Sequence, residues 1–214
     1  MLDIQIGSHH LQAWPERALY WPAHNCLLLA DLHLGKADTF RHYGIGIPQT
    51  LQHSDLARLQ QLLLRLQPAR CLLLGDFVHG NIVHKDTAKA WNALVNTFAQ
   101  TEFVLVVGNH DRSLHQLPLQ LDTVCSELRI DNVLLTHEPV PQDRLQQGDW
   151  NLHGHIHPAM RIGTGRHKLP ALALRKPYLM LPAFSEFTAG VDVSAGCEGL
   201  WVFVEQEATV VQVR

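Results

Sequence analysis

Cys26-Leu27-Leu28-Leu29-Ala30-Asp31-Leu32-His33 is a short apolar run that ends at once in a carboxylate and an imidazole. Unbroken apolar runs of this length are the signature of a strand buried on both faces. A carboxylate at the end of such a strand is costly unless it is paired or bound to a metal. The arrangement recurs along the chain. Cys71-Leu72-Leu73-Leu74 ends in Gly75-Asp76, and Phe103 to Val107 ends in Gly108-Asn109-His110-Asp111. Val133-Leu134-Leu135 ends in Thr136-His137-Glu138-Pro139, and Trp150-Asn151-Leu152 in His153-Gly154-His155-Ile156-His157. Helical spacing separates the early runs, with Leu56, Leu59, Leu63 and Leu66 on one stripe and Trp91, Leu94, Val95 and Phe98 on another. Strand–helix alternation predicts an α/β fold with a largely parallel sheet and a site in the loops at the strand ends.

The last run carries three histidines in five residues. Residues two apart in an extended segment point the same way, so His155 and His157 can aim at one spot. Gly154, with no Cβ, lets another backbone or an ion come close. A single histidine on a strand reads as an ordinary half-polar residue. Three together, flanked by Leu152 and Ile156, read as metal ligands, for which neutral imidazole is the commonest side chain.

Composition bounds the rest. The 214 residues fit one large domain, and 46% hydrophobic with 17% charged residues is the balance of a globular protein. A net charge of −3 and a pI near 6.6 argue against a general nucleic-acid coat but leave room for a local basic rim. No apolar run approaches the roughly 18 residues of a membrane span, and Met1-Leu2-Asp3-Ile4-Gln5 shows no secretory signal. Cys26, Cys71, Cys125 and Cys197 are widely spaced and read as reduced core residues. A cytoplasmic protein with no membrane partner is expected.

Leu2, Ile4 and Ile6 alternate with polar residues before Gly7-Ser8, and a second run reaches Trp14, which reads as an opening hairpin. Gly35-Lys36, Arg41-His42 and Gly44-Ile45-Gly46 form a cationic loop that closes at Pro48, with a helix from about Ser54. Asp86 reads as the cap of the next helix. From Trp150 to Ser185 there is no acid, while Arg161, Arg166, Lys168, Arg175 and Lys176 fall inside. Leu179 to Leu181, Leu200 to Val204 and Thr209 to Val213 suggest an antiparallel finish. No linker or repeat is visible, so one domain over 1–214 is expected.

The collected candidates are Asp31, His33, Asp76, Asn109, His110, His137, His155 and His157. Carboxylates, an amide and imidazoles without cysteine suit Mn²⁺, Fe²⁺ or Zn²⁺. Seven ligands suit two ions sharing a carboxylate, an arrangement that stabilises both the attacking and leaving oxygens in phosphoryl transfer. In this order, Asp31-x-His33, Gly75-Asp76, Gly108-Asn109-His110-Asp111, His137 and Gly154-His155-x-His157 resemble the five-block signature of calcineurin-like metallophosphoesterases. The resemblance implies a four-layer α/β/β/α sandwich of two mixed β-sheets flanked by helices. It implies that Asp31, His33 and His157 bind one metal, that Asn109, His137 and His155 bind a second, and that Asp76 bridges them. It also implies that His110 contacts the scissile phosphate and assists the leaving group, with Asp111 orienting it.

The longer runs Ala30-Asp31-Leu32-His33-Leu34-Gly35-Lys36, Gly44-Ile45-Gly46-Ile47-Pro48 and Gly75-Asp76-Phe77-Val78-His79-Gly80 resemble a narrower branch. It is the ligase-associated DNA-damage-response endonucleases of bacteria, encoded beside a DNA ligase and a helicase. That resemblance implies a manganese-dependent endonuclease acting on DNA, single-stranded by preference. A single strand needs cations that track its backbone and surfaces on which bases stack. Lys36, Arg41, His42, Arg112, Arg161 and Arg166 are candidates for the first, and Tyr43, Phe77 and Phe184 for the second. His79 is close enough to Asp76 in sequence to reach substrate. His153 reads as structural, and His9, His10, His24, His53, His84, His115 and His167 as surface or packing residues.

Two other readings use the same residues. A small-molecule phosphatase or cyclic-nucleotide phosphodiesterase would keep the chemistry and change the substrate, because fold does not fix substrate. A non-catalytic scaffold would have lost ligands or the Asn-His histidine, and all are present here. Turnover after His110→Ala would separate a general acid from a bystander.

Overall fold

The computed structural model describes residues 1–47, 50–165 and 167–214, and for 50–53 the backbone alone. Pro48, His53 and Arg166 therefore lie outside the described side chains.

The first sheet takes its strands in chain order: β1 (Leu2–Ile6), β2 (His9–Trp14), β3 (Ala18–Trp21), β4 (Cys26–Leu29), β5 (Arg70–Leu74), β6 (Glu102–Val106) and β7 (Thr123–Cys125). The pairs from β1 to β4 are antiparallel and those from β4 to β7 are parallel. Helices α1 (Lys36–His42), α2 (Thr50–Leu66) and α3 (Lys85–Thr97) fall between the parallel strands. The second sheet contains β8 (Leu128–Ile130), β9 (Val133–Thr136), β10 (Trp150–His153), β11 (Pro158–Arg161), β12 (Lys168–Arg175), β13 (Tyr178–Met180), β14 (Val191–Asp192), β15 (Gly199–Val204) and β16 (Thr209–Gln212). It too is mixed: β9, β10 and β13 are parallel neighbours, and β12, β15 and β16 pair antiparallel.

Strand alternation explains the uninterrupted apolar runs. Leu28, Leu72, Leu74, Val104 and Val106 face Val133, Leu135, Leu152, Leu172 and Phe203 across the two sheets. Their neighbours Leu27, Leu29, Cys71, Leu73, Phe103 and Leu105 turn the other way, against Leu59 and Leu63 of α2 and Trp91 and Leu94 of α3. Both faces of β4, β5 and β6 are dry, so both alternating sets must be apolar there. The outer face of the second sheet, with Ala171, Ala173, Met180 and Val202, is closed by Val193 and Cys197 from the chain after β14. The described α-helices are few, and the two that supply core side chains here pack on the first sheet.

Several local expectations are corrected. The stretch after Gly35 is helix α1, not loop: Thr39 bonds back to the Gly35 carbonyl, and Asp38 accepts the His84 amide at 2.9 Å. The cap of α3 is His84, whose Nδ1 accepts the Asp86 amide at 3.3 Å, so Asp86 lies within the first turn. α2 begins at Thr50, a turn before Ser54. The sheets are mixed, as the family resemblance implied, and not largely parallel as strand–helix alternation alone predicts, because β1–β3 form an antiparallel meander ahead of β4.

Candidate metal centre

The parallel register brings the ends of β4, β5 and β6 to one edge, where the ends of β9 and β10 join them. Backbone bonds tie the loops together: the Asp31 amide donates to the Gly75 carbonyl (3.1 Å), His33 to Asp76 (2.9 Å) and Gly154 to His137 (3.1 Å). Asp31, His33, Asp76, His155 and His157 all hold φ between 46° and 65°, the left-handed region that non-glycine residues rarely occupy.

Two ligand groups result. In the first, the ligand atoms of Asp31, His33 and His157 lie within 4.8 Å of one another. Asp31 Oδ1 and His157 Nε2 are 3.1 Å apart, yet neither has a hydrogen-bond partner, and neither ring nitrogen of His33 has one. Buried polar atoms left this way are costly unless something else satisfies them. A cation would, so the group fits a metal ion. Asp31 Oδ2 accepts the His155 amide at 3.0 Å, which fixes the carboxylate. Burial, with Lys36 nearby, drives the His33 imidazole down to about 2, leaving a neutral ring with a lone pair to offer.

In the second group, Asp76, His137 and His155 offer atoms within 4.8 Å of one another. His137 Nδ1 donates to the Leu74 carbonyl at 3.1 Å, which turns Nε2 inward. Around Nε2 lie Asn109 Oδ1 (3.0 Å), His155 Nδ1 (3.2 Å) and Asp76 Oδ1 (3.4 Å). Burial opposes charge on this ring, but Asp76 and Asp31 outweigh it and push His137 up to about 9. The carboxylates that raise this ring also favour a cation at the point between Nε2, Asp76 Oδ1 and Asn109 Oδ1. Burial would raise Asp76, but bonds from His137 and the His110 amide prevail and hold it at about 2.

His110 stands at the rim. Its Nε2 is 3.9 Å from Asp76 Oδ2, and its ring stacks on His79 at 5.2 Å. His79 in turn stacks over Phe40, and His33 meets both histidines edge-on. Among the described residues, Asp111 bonds backbone amides and not the His110 ring. Its carboxylate accepts the Val78 amide (3.0 Å) and the Gly108 amide (2.8 Å), clamping the loop after β6 to the loop after β5. Its position inside the fold, 3% exposed, explains why.

The outer residues divide. Lys36 lies at the rim, with Nζ 3.0 Å from Thr188 Oγ1 and 5.7 Å from the Phe187 ring centre. Arg41 is paired with Asp38 and reaches the Ile47 carbonyl, His42 lies exposed against Tyr43, and Arg112 is exposed. Arg161 lies 3.6 Å from Asp192. Phe77 and Phe184 are fully buried, so they are core and not stacking surfaces, whereas Tyr43 is 72% exposed. Lys168 and Arg175 hold the carbonyls of Gly190 and Ala195, which removes them from a basic rim. His153 is buried, with Nδ1 2.9 Å from the Gly154 carbonyl oxygen. Sequence reasoning missed Phe40, Phe187 and Thr188. No signal marked them, because the stretch that carries Phe40 reads as loop and Phe187 and Thr188 belong to no motif.

An α/β sandwich that gathers two groups of Asp and His ligands at one strand-end edge is the framework of a binuclear metal-dependent hydrolase. The model of the calcineurin-like phosphoesterase family matches residues 24–189, and the chain belongs to that family, whose members use a binuclear metal site. Comparison with solved structures finds the Pseudomonas putida nuclease MPE, 27% identical with a TM-score of 0.80, covering 99% of both chains. It also finds Yfce, a phosphoesterase from E. coli, 15% identical with a TM-score of 0.49, covering 88% of this chain and 97% of that one. No curated protein matches.

Proposed function

We propose that this chain is a two-metal phosphodiesterase that cuts DNA, single strands by preference, with Mn²⁺ in both sites. The ligand set would also accept Fe²⁺ or Zn²⁺. The observation that carries the chemistry is the convergence of Asp31, His33 and His157 beside Asp76, Asn109, His137 and His155, with His110 at the rim. Likeness to a nuclease over the whole chain supports the DNA substrate. We place it in the cytoplasm of a bacterium, in repair alongside a DNA ligase and a helicase.

When bound, two dications supply Lewis acidity and an acidified water to the phosphodiester. Asp31, His33 and His157 would hold the first, and Asn109, His137 and His155 the second, with the Asp76 carboxylate available to both. His110, aimed by its own amide on Asp76 Oδ1 at 2.9 Å, faces the departing oxygen. As the bond from phosphorus to that oxygen breaks, the His110 ring gives its proton to the departing oxygen, and the proton that the attacking water loses returns to the imidazole. Asp111 serves by holding the His110 loop.

A second reading, hydrolysis of a small phosphodiester, is favoured by the internal use of Arg41, Lys168 and Arg175. One experiment separates the two. Metal-stripped protein is given Mn²⁺, Mg²⁺ or Zn²⁺ and assayed on circular single-stranded DNA and on bis-p-nitrophenyl phosphate, with Asp76→Ala as control. Mn²⁺ should restore nicking of the circle, and Asp76→Ala should abolish it. An intact circle beside a hydrolysed small diester would keep the chemistry and remove DNA.

A further inference from the structure

Arginines that face inward in this chain come with carboxylates: Arg17 with Glu205, Arg41 with Asp38, Arg58 with Asp55 and Glu186. Lys36 differs. It is half-buried beside the first ligand group, and its ammonium has the Thr188 hydroxyl at 3.0 Å and the Phe187 ring at 5.7 Å, with no carboxylate among the described residues in ion-pair reach. An ammonium has three donors, and one hydroxyl satisfies one of them. A partly desolvated cation with donors to spare, next to a phosphodiester site, is a receptor for an anion.

The wall that carries Thr188 is held in place by the metal ligands themselves. The Ser185 amide donates to the Asp31 carbonyl (3.2 Å) and the Val191 amide to the His157 carbonyl (2.9 Å). Lys36 and Thr188 therefore sit at a fixed offset from the first ligand group. Thr188 also lines a groove of about 360 Å³ that starts at His157 and runs past Gly190 and His167. Phe187, edge-on to Phe40 at 5.2 Å, gives the rim an apolar surface.

We propose that Lys36 and Thr188 form a subsite for the phosphate next to the scissile one, with the strand continuing into the groove beside His157. This rests on the DNA reading above, and it makes Lys36 the group that favours a polynucleotide over a small diester. The neighbouring phosphate is absent from bis-p-nitrophenyl phosphate, so the two substrates isolate the subsite.

The test uses Mn²⁺-loaded protein: wild type, Lys36→Met, Lys36→Arg and Thr188→Val. Lys36→Met keeps the aliphatic stem over Phe187, and Lys36→Arg keeps the charge. Cleavage is measured on an oligodeoxythymidylate and on bis-p-nitrophenyl phosphate, and strand binding by fluorescence anisotropy over a salt series. Lys36→Met should raise strand KM and lose about tenfold more kcat/KM on the strand than on the small diester. Its log–log salt slope should fall by about 0.7, the value of one phosphate contact on a single strand. Lys36→Arg should retain most of the preference. Thr188→Val should show the same bias with a smaller loss, and it carries the test if Lys36→Met fails to fold.

Equal losses on both substrates would overturn the subsite, and so would an unchanged salt slope. A wild type that binds the strand without cutting it, with the slope still lowered in Lys36→Met, would remove the nuclease and keep the subsite. A wild type that does neither removes both.

Discussion

Gly154 shows how little room the ligands have. A Cβ there would meet Asp31 Oδ2 at 2.5 Å and the Ala30 Cβ at 2.7 Å. Ala30 closes a buried strand and cannot retreat, so the carboxylate must move. Around it, Asp31, His33, Asp76, His155 and His157 sit in left-handed backbone, at about 1–2 kcal/mol each for a residue with a Cβ. The loops persist because amides and carbonyls on neighbouring loops over-determine them, and the reversal at each strand end turns the side chain inward. Gly154→Ala should fold but bind Mn²⁺ at least about fivefold more weakly, since small-to-large changes in packed sites cost about 1–3 kcal/mol. Calorimetric titration reads this directly, and an unchanged affinity would mean that Asp31 is free to shift. The ligand identities were legible in the sequence because metal chemistry demands particular side chains. The strained backbone was not: Asp and His adopt positive φ more readily than most residues, but nothing in the sequence marks which of the many here do so. The ring stack of His110, His79 and Phe40 was hidden for another reason: it joins three separate loops and helices.

The central strands, buried on both faces, were legible. Runs at Cys26, Cys71, Phe103, Val133 and Trp150 became β4, β5, β6, β9 and β10, within a residue or two at each end. Strands with a wetter face were harder. β12 (Lys168–Arg175) begins with Lys168 and contains Pro170, and its outer alanines pack under chain from beyond β14 that only the tertiary fold supplies. Helix α1 was hidden because its support is distant: Asp38 caps the His84 amide, 46 residues away. Asp111 belongs to this scale. Joining the loops after β5 and β6 through two buried amides, it is a clamp, and burial raises its carboxyl to about 6. Asp111→Ala would leave two buried donors unsatisfied and should cost about 2–4 kcal/mol in denaturant unfolding of the metal-free protein. Asp111→Asn should lose less, because its side-chain oxygen can still accept one amide. A stability unchanged in both, with turnover lost, would return Asp111 to the role of orienting His110.

Across the whole molecule, a partly buried ionic cluster joins α2, the turn after β2 and the chain after β15 to the segment that the metal loops also hold. Arg17 from the turn after β2 bonds Glu205 and the Ser185 carbonyl. Arg58 of α2 bonds Asp55, Glu186 and the Phe184 carbonyl. The cluster fixes the segment from which Phe187 and Thr188 reach Lys36. Burial dominates at Asp55, which is 5% exposed. It pushes the carboxyl up to about 6 from 3.8, although Arg58 at 2.9 Å and the Glu186 amide pull the other way. Removing two charges from water outweighs their attraction. The sign follows from proton binding. Between pH 4 and 6 the folded chain holds a proton at Asp55 that the unfolded chain has released. This group's contribution is therefore full below about pH 4 and is lost as pH rises to about 6, by up to about 3 kcal/mol. Asp55→Asn cannot titrate, yet its oxygen can still accept the Glu186 amide, now bonded at 3.1 Å. In chelator-treated protein, the variant's stability relative to wild type should therefore rise between pH 4 and pH 6. Asp111, which titrates in the same window, is common to both proteins and cancels. Denaturant midpoints at several pH values would read the difference. A flat difference would mean that Arg58 holds the Asp55 carboxylate ionised throughout, and that the cluster is an ion pair strong enough to overcome its own burial.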